Sequence, residues 1–141
     1  MPRVEVELPE RFLFRTEIPV RIDDINYGGH LGNDAVLALL QEARLRFLGT
    51  HGWSELDVCG VGMIMADAAV VYRSEGKHGM VLAAELAIAD LRSRSCDFVY
   101  RLTDTATGRE IARAKTGMVF FDYQERKVVS VPAPFLAAIS R

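Results

Sequence analysis

A polar, glycine-rich segment near the start of the chain carries most of its candidate chemistry. Residues 20–34, VRIDDINYGGHLGND, hold three aspartates, two asparagines, one histidine and three glycines. A run of residues that predicts a helix follows at once. These groups therefore gather where the free backbone N–H groups of a helix start point outward. Such an arrangement is suited to bind an anion or to polarise a carbonyl group.

Two residues of this segment have ordinary structural roles as well as chemical ones. Asn33 is predicted to be the N-cap of the helix, a position where Asn is strongly preferred, and capping is compatible with function. His30 follows two glycines. It is either a general acid or, the alternative that we favour, a residue that hydrogen-bonds the backbone and fixes the turn.

The elements on either side must hold this segment in place. Residues 15–22 alternate apolar and polar side chains and predict a first strand, in which Pro19 suits a sheet edge or a bulge. Residues 35–48 predict a helix that ends at Gly49. Its apolar stripe consists of Val36, Leu39, Leu40, Ala43 and Phe47. Glu42 and Arg46, four residues apart on this helix, predict an ion pair.

Four β-like runs follow the helix, with turn-forming clusters between them. They span residues 61–73, 80–91, 95–103 and 110–122 and predict a meander of antiparallel strands. In the third run Cys96, Phe98, Tyr100 and Leu102 alternate with mostly polar residues, as expected when one face of a sheet is covered by a helix. Residues 127–131 fit a short further strand, and residues 134–139 fit a terminal helix that starts with Pro.

Composition excludes several classes of protein. With 141 residues, half of them hydrophobic, the chain is predicted to form one domain over residues 1–141. Its 17 Lys and Arg and 19 Asp and Glu are interleaved, which argues against a nucleic-acid partner. Cys59 and Cys96 belong to no metal-binding motif and are predicted to be reduced, buried thiols. With no signal peptide and no apolar run that could span a membrane, we expect a cytoplasmic protein without a membrane partner.

The order of these elements resembles the hotdog fold, an α+β architecture in which a curled antiparallel sheet of five or six strands wraps one long central helix. More narrowly, the chain resembles acyl-CoA thioesterases of the 4-hydroxybenzoyl-CoA thioesterase type. The matching motifs are residues 29–33, 42–44, 70–73, 116–122 and 131–132. The resemblance implies hydrolysis of an acyl-CoA substrate by a homodimer or homotetramer. It implies no metal or redox cofactor, because coenzyme A is part of the substrate.

One position departs from this family. The catalytic aspartate typically stands four residues before the His of Gly-His, and this chain has Asn26 there. An amide can orient water or hydrogen-bond a thioester, but it has no basic lone pair that could take a proton. Either another carboxylate replaces the aspartate or the activity differs.

Asp34 and Asp24 are the candidate replacements, and we rank Asp34 slightly ahead. Asp34 falls in the first helical turn on the side opposite the apolar stripe, where the helix dipole favours an ionised carboxylate. Asp24 would share one side of an extended strand with Asn26. Each residue also has an interpretation without catalysis. Asp34 is then a negative charge that interacts favourably with the helix dipole, and Asp24 is an exposed or arginine-paired residue.

The resemblance also implies how a substrate would be held. Backbone N–H groups near Asn33 would polarise the thioester carbonyl. The candidate substrate-binding residues are Tyr27 and Gly29 in the turn, Asp67 opposite the helix start, and Arg73 and Arg94 at strand ends for the coenzyme A phosphates. For Asp67, an arginine partner or an exposed strand face is the alternative.

Two rival functions stay open on the sequence alone. One is a non-catalytic acyl-CoA-binding protein that lost its reaction with the change at Asn26. The other is an acyl-thioester hydratase or dehydratase, which would require His30 and a carboxylate to converge on the acyl chain. The sequence leaves aromatic, short-chain and medium-chain acyl groups open.

Overall fold

The computed structural model describes residues 3–140. Its strands are β1 (Phe14–Pro19), β2 (Gly62–Tyr72), β3 (Val81–Ala89), β4 (Ser95–Asp104), β5 (Glu110–Asp122) and β6 (Lys127–Val128), and its α-helices are α1 (Asn33–Gly49) and α2 (Ala133–Ile139). The strands form one antiparallel sheet of six strands. No helix in this described part is long and apolar enough to cross a membrane.

The strand order differs from the predicted meander. The order is β1-β3-β4-β5-β2, with β6 on β5. Strands β3 to β5 follow one another as predicted, but β2 pairs with β5, and β1 takes the place beside β3. The prediction that β2 neighbours β3 was wrong because alternation fixes which residues share a face, not which strands pair. The connection from β2 to β3 consequently spans the sheet and passes the start of α1.

The first strand is shorter than predicted. It ends at Pro19 instead of residue 22, and Ile22–Asp24 form a single 3-10 turn. Proline has no N–H to continue a ladder, so it suits the end of an edge strand. This early end places Asp24 in a turn.

The predicted core is confirmed. Val36, Leu40, Ala43 and Phe47 on α1 are at most 2% exposed. They belong to one cluster with the alternating residues predicted for β4, namely Cys96, Phe98, Tyr100 and Leu102. The predicted ion pair between Glu42 and Arg46 is also present, at 2.8 Å.

The outer face of the sheet, which points away from α1, is less polar than predicted. Val6, from the segment before β1, packs with Val71 and Val99 in a second small cluster. Val99 is therefore buried, although it alternates with the core residues of β4. Cys96 is buried as predicted, and burial raises the pKa of its thiol to about 12. Cys59 is exposed in a tight turn with φ 57°, so the prediction of two buried thiols was wrong.

A buried polar network ties α1 to the sheet. Arg44, 2% exposed, donates from Nε to Glu55 Oε2 at 2.8 Å and from Nη1 to the Tyr100 hydroxyl at 2.9 Å. A guanidinium only donates, so the Tyr100 oxygen accepts this bond. The Tyr100 hydroxyl also forms a hydrogen bond of 2.7 Å with Thr116 Oγ1, in which either hydroxyl can be the donor. Burial raises the pKa of Tyr100, which keeps the phenol neutral and able to donate.

Candidate active site

A groove of about 460 Å³ lies between the start of α1 and the loop that follows β2. We call it the α1 groove. It is lined by Asn26, His30, Leu31, Asn33, Val36, Tyr72, Arg73, Ser74, Glu75, Gly76 and Ile111. Three of these residues, Leu31, Val36 and Ile111, are buried and apolar. The groove therefore combines an apolar surface with a rim of polar and charged groups.

Asn26 organises the turn on one side of the α1 groove. Its Oδ1 accepts the backbone N–H groups of Gly28 at 3.0 Å and His30 at 3.2 Å, and its own N–H donates to the His30 carbonyl at 2.8 Å. Gly29, with φ 84°, donates to the Asn26 carbonyl at 3.0 Å. A left-handed residue here favours glycine. The Asn26 side-chain oxygen is thus engaged by the backbone of the turn, on a residue that lines the groove.

We expect this role of Asn26 to be visible in stability. Asn26→Ala removes the acceptor of two N–H groups and should lower the free energy of unfolding by about 1–2 kcal/mol. Asn26→Asp keeps an acceptor oxygen in the same place, so its free energy of unfolding should stay close to that of the unmodified protein. Urea unfolding of the three proteins checks this, and an alanine variant as stable as the aspartate variant would contradict it.

The loop after β2 forms the facing wall and is fixed to both neighbouring elements. The N–H groups of Arg73 and Ser74 donate to the Ile111 carbonyl at 2.8 and 3.1 Å. The Gly76 carbonyl accepts the Leu31 N–H at 2.8 Å, and a Cβ at Gly76 would lie 2.8 Å from the Leu31 Cβ. This close approach requires glycine and brings the loop directly against the start of α1.

His30 and Glu75 meet across the α1 groove. His30 Nε2 lies 3.1 Å from Glu75 Oε2. The imidazole thus contacts a carboxylate, whereas the favoured prediction was a hydrogen bond to the backbone. Sequence reasoning missed Glu75, because residues 74–77 carry only the composition of a turn. Nothing in the sequence marks Glu75 as a site residue, because only the pairing of β2 with β5 places this loop beside the Gly-His turn.

The start of α1 differs by one residue from the prediction. Gly32, extended at φ −67° and ψ 146°, is the N-cap, and Asn33 is the first helical residue. The prediction that Asn33 caps the helix was wrong because Gly32 already takes the extended conformation that a cap requires. The Gly32 N–H donates to the Asp24 carbonyl at 2.9 Å. The N–H groups of Asn33, Asp34 and Ala35 have no acceptor among residues 3–140.

The two predicted carboxylates lie outside the residues that line the α1 groove. Asp24 is 8% exposed, and its Oδ2 accepts the Arg21 N–H at 2.8 Å and lies 3.9 Å from Arg21 Nε. Because Asp24 belongs to the 3-10 turn, the prediction that it shares a strand face with Asn26 was wrong. Asp34 is exposed in the first turn of α1, as predicted. Its catalytic role stays a prediction.

The predicted substrate-binding residues separate into two groups. Arg73 lines the α1 groove, and its guanidinium has no ion-pair partner in the described part of the chain. Tyr27 and Gly29 are exposed in the turn but do not line the groove. Asp67 is exposed on β2 opposite Gly117, and Arg94 lies between β3 and β4. Neither of these last two lines the α1 groove, because only Tyr72, the last residue of β2, borders it and Arg94 lies outside its lining. Asp67 has the exposed strand position that was the alternative prediction for it.

Comparison with solved structures supports the fold. The 1,4-dihydroxy-2-naphthoyl-CoA thioesterase from Synechocystis superposes with a TM-score of 0.82 at 22% identity, over 90% of this chain and 95% of that chain. The PA2801 protein from Pseudomonas aeruginosa has a TM-score of 0.83 at 25% identity, over 92% of this chain and 99% of that chain. The SAV2348 protein from Staphylococcus aureus, in complex with CoA, has a TM-score of 0.81 at 18% identity, over 96% of this chain and 86% of that chain. These likenesses match the antiparallel sheet with helices to the fold of hotdog thioesterases.

Comparison with curated proteins finds no match. A family model described as the thioesterase-like superfamily matches residues 20–139. This range includes the Gly-His turn, both α-helices, the loop after β2 and every strand except β1. The chain therefore belongs to the thioesterase-like superfamily.

Proposed function

We propose that this chain hydrolyses an acyl-CoA thioester to a free acid and coenzyme A, as a thioesterase of the 4-hydroxybenzoyl-CoA type. The observation that carries the proposal is the free Asn33 N–H at the start of α1, on a residue that lines the α1 groove. A preorganised backbone donor of this kind stabilises the negative oxygen that forms when a thioester carbonyl is attacked.

The other donors of the Gly-His turn are already in use. The N–H groups of Gly28 and His30 donate to Asn26 Oδ1, and that of Leu31 donates to the Gly76 carbonyl. Across the groove, the N–H groups of Glu75 and Gly76 have no acceptor within residues 3–140. Donors from both walls therefore support a carbonyl oxygen bound between α1 and the loop after β2.

The rest of the α1 groove suits the two ends of an acyl-CoA. Leu31, Val36 and Ile111 offer apolar surface to the acyl group. Arg73, with no ion-pair partner among the described residues, offers a guanidinium to the coenzyme A phosphates. The CoA bound to the Staphylococcus aureus neighbour, and the aromatic acyl-CoA named for the Synechocystis neighbour, are consistent with this substrate class.

A thiol-release assay tests the proposal. The purified protein is incubated with aromatic, short-chain and medium-chain acyl-CoAs, and free thiol and free acid are measured together. Equal amounts of both products on at least one substrate would support hydrolysis. Acyl-CoA binding without thiol release would favour the non-catalytic binding protein, and addition of water to enoyl-CoA without thiol release would favour the hydratase.

Self-association is part of the proposal. Strands β1 and β2 are the two edges of the sheet, and each has one side without a β partner among the described residues. Free strand edges are usually covered, paired or disrupted in stable proteins. We expect a homodimer or homotetramer, which sedimentation equilibrium would distinguish from a monomer.

A further inference from the structure

We propose that Glu75 is the general base of this reaction and replaces the carboxylate that the family places at Asn26. The inference rests on the proposed function and identifies the carboxylate that replaces the family's aspartate, which the sequence alone left open. Among the residues that line the α1 groove, Glu75 is the only one with a carboxyl group. It occupies the wall that faces the free Asn33 N–H.

The geometry leaves one oxygen of Glu75 available. Oε2 is 3.1 Å from His30 Nε2, while Oε1 has no hydrogen-bond partner within residues 3–140. The Glu75 side chain is 65% exposed, so water reaches it. Asp24 lacks this freedom, because it is 8% exposed and its Oδ2 accepts the Arg21 N–H.

His30 is a positioning residue in this arrangement. Its backbone is fixed to Asn26 by two hydrogen bonds, and its Nδ1 lies toward Gly28, 3.8 Å from where a Cβ would stand on that glycine. Nε2 lies 3.1 Å from Glu75 Oε2, so the imidazole holds this end of the carboxylate at the groove. Apart from His30 and Glu75, the charged residue that lines the groove is Arg73, which comes from the same loop as Glu75.

The chemical step is balanced without a further reactant. Glu75 Oε1 takes a proton from water as the water oxygen bonds to the thioester carbon, and the carbonyl oxygen becomes negative beside the backbone donors. The carbon–sulfur bond then breaks as the carbonyl re-forms, and the thiolate takes the proton from Glu75. The products are the free acid and the coenzyme A thiol, and Glu75 returns to its ionised form.

Substitution of Glu75 tests the inference on an acyl-CoA that the unmodified protein hydrolyses. Glu75→Gln should lower kcat by about 10²-fold or more, because the amide cannot take a proton. KM should change by no more than about threefold, since the side chain acts on water. Asp23→Asn is the matched control. It removes an exposed carboxylate near the Gly-His turn but outside the groove, and it should leave kcat unchanged.

Two further readouts separate a base from a structural residue. Formate added to Glu75→Ala should restore part of the lost kcat, because a small carboxylate can occupy the space and take the proton. His30→Gln, whose amide group can donate a hydrogen bond to the Glu75 carboxylate, should retain more activity than His30→Ala. Urea unfolding of each variant confirms that the loss of activity is not a loss of fold.

The outcomes that overturn the inference are distinct from those that overturn the proposed function. If the unmodified protein releases thiol and Glu75→Gln does so at a similar kcat, Glu75 is not the base and the proposed function stands. If the unmodified protein releases no thiol from any acyl-CoA, the proposed function fails, and the inference fails with it.

Discussion

Asn33→Pro is expected to lower kcat by about 10²- to 10³-fold while α1 stays folded. Proline is favoured at the first helical position, where its missing N–H has no intrahelical partner in any case. The preceding Gly32 already has φ −67° and ψ 146°, the extended conformation that a residue before proline requires. The substitution therefore removes the proposed donor to the thioester oxygen with little cost to the helix.

A second variant separates this backbone effect from the Asn33 side chain. Asn33→Ala removes the amide group but keeps the N–H, so its loss of kcat should be much smaller than that of Asn33→Pro. Both variants keep the Asn33 carbonyl that accepts the Tyr72 hydroxyl at 3.0 Å. Steady-state thiol release measures kcat of both variants, and far-ultraviolet circular dichroism shows whether α1 stays folded. Equal kcat values for the proline and alanine variants would rule out the N–H as an oxyanion donor.

Arg44→Met should lower the free energy of unfolding by about 3–5 kcal/mol. The guanidinium is the donor to both Glu55 and Tyr100, and its removal leaves a partly buried carboxylate without its counter-charge. Methionine fills much of the same volume, so the loss reports mainly on the charge and its hydrogen bonds. Urea unfolding at neutral pH measures the change.

The same substitution at an exposed ion pair provides the control for Arg44. Arg92 lies 3.1 Å from Asp90, and both side chains are more than half exposed. Arg92→Met should change stability by no more than about 1 kcal/mol. Adding Glu55→Gln to Arg44→Met should recover part of the loss, because the unpaired charge is then removed. An Arg44→Met loss as small as that of Arg92→Met would show that the network contributes little.

Periodicity was sufficient to locate nearly every element. The helical stripe on α1 and the alternation in β4 both place apolar groups at the spacing of one covered face, and burial of that face is the dominant driving force for folding. The order of strands was not predictable in the same way. Pairing of β2 with β5 depends on contacts between residues far apart in sequence, for which a single chain carries no local signal.

The candidate site, like the fold, was only partly predictable from the sequence. The sequence by itself determined that a rigid Gly-His turn with Asn26 meets the start of a helix, because turn chemistry and helix periodicity are local properties. Only the tertiary structure decided which carboxylate reaches that turn. Glu75 is distant from His30 along the chain, and it comes within 3.1 Å because the connection from β2 to β3 passes the start of α1.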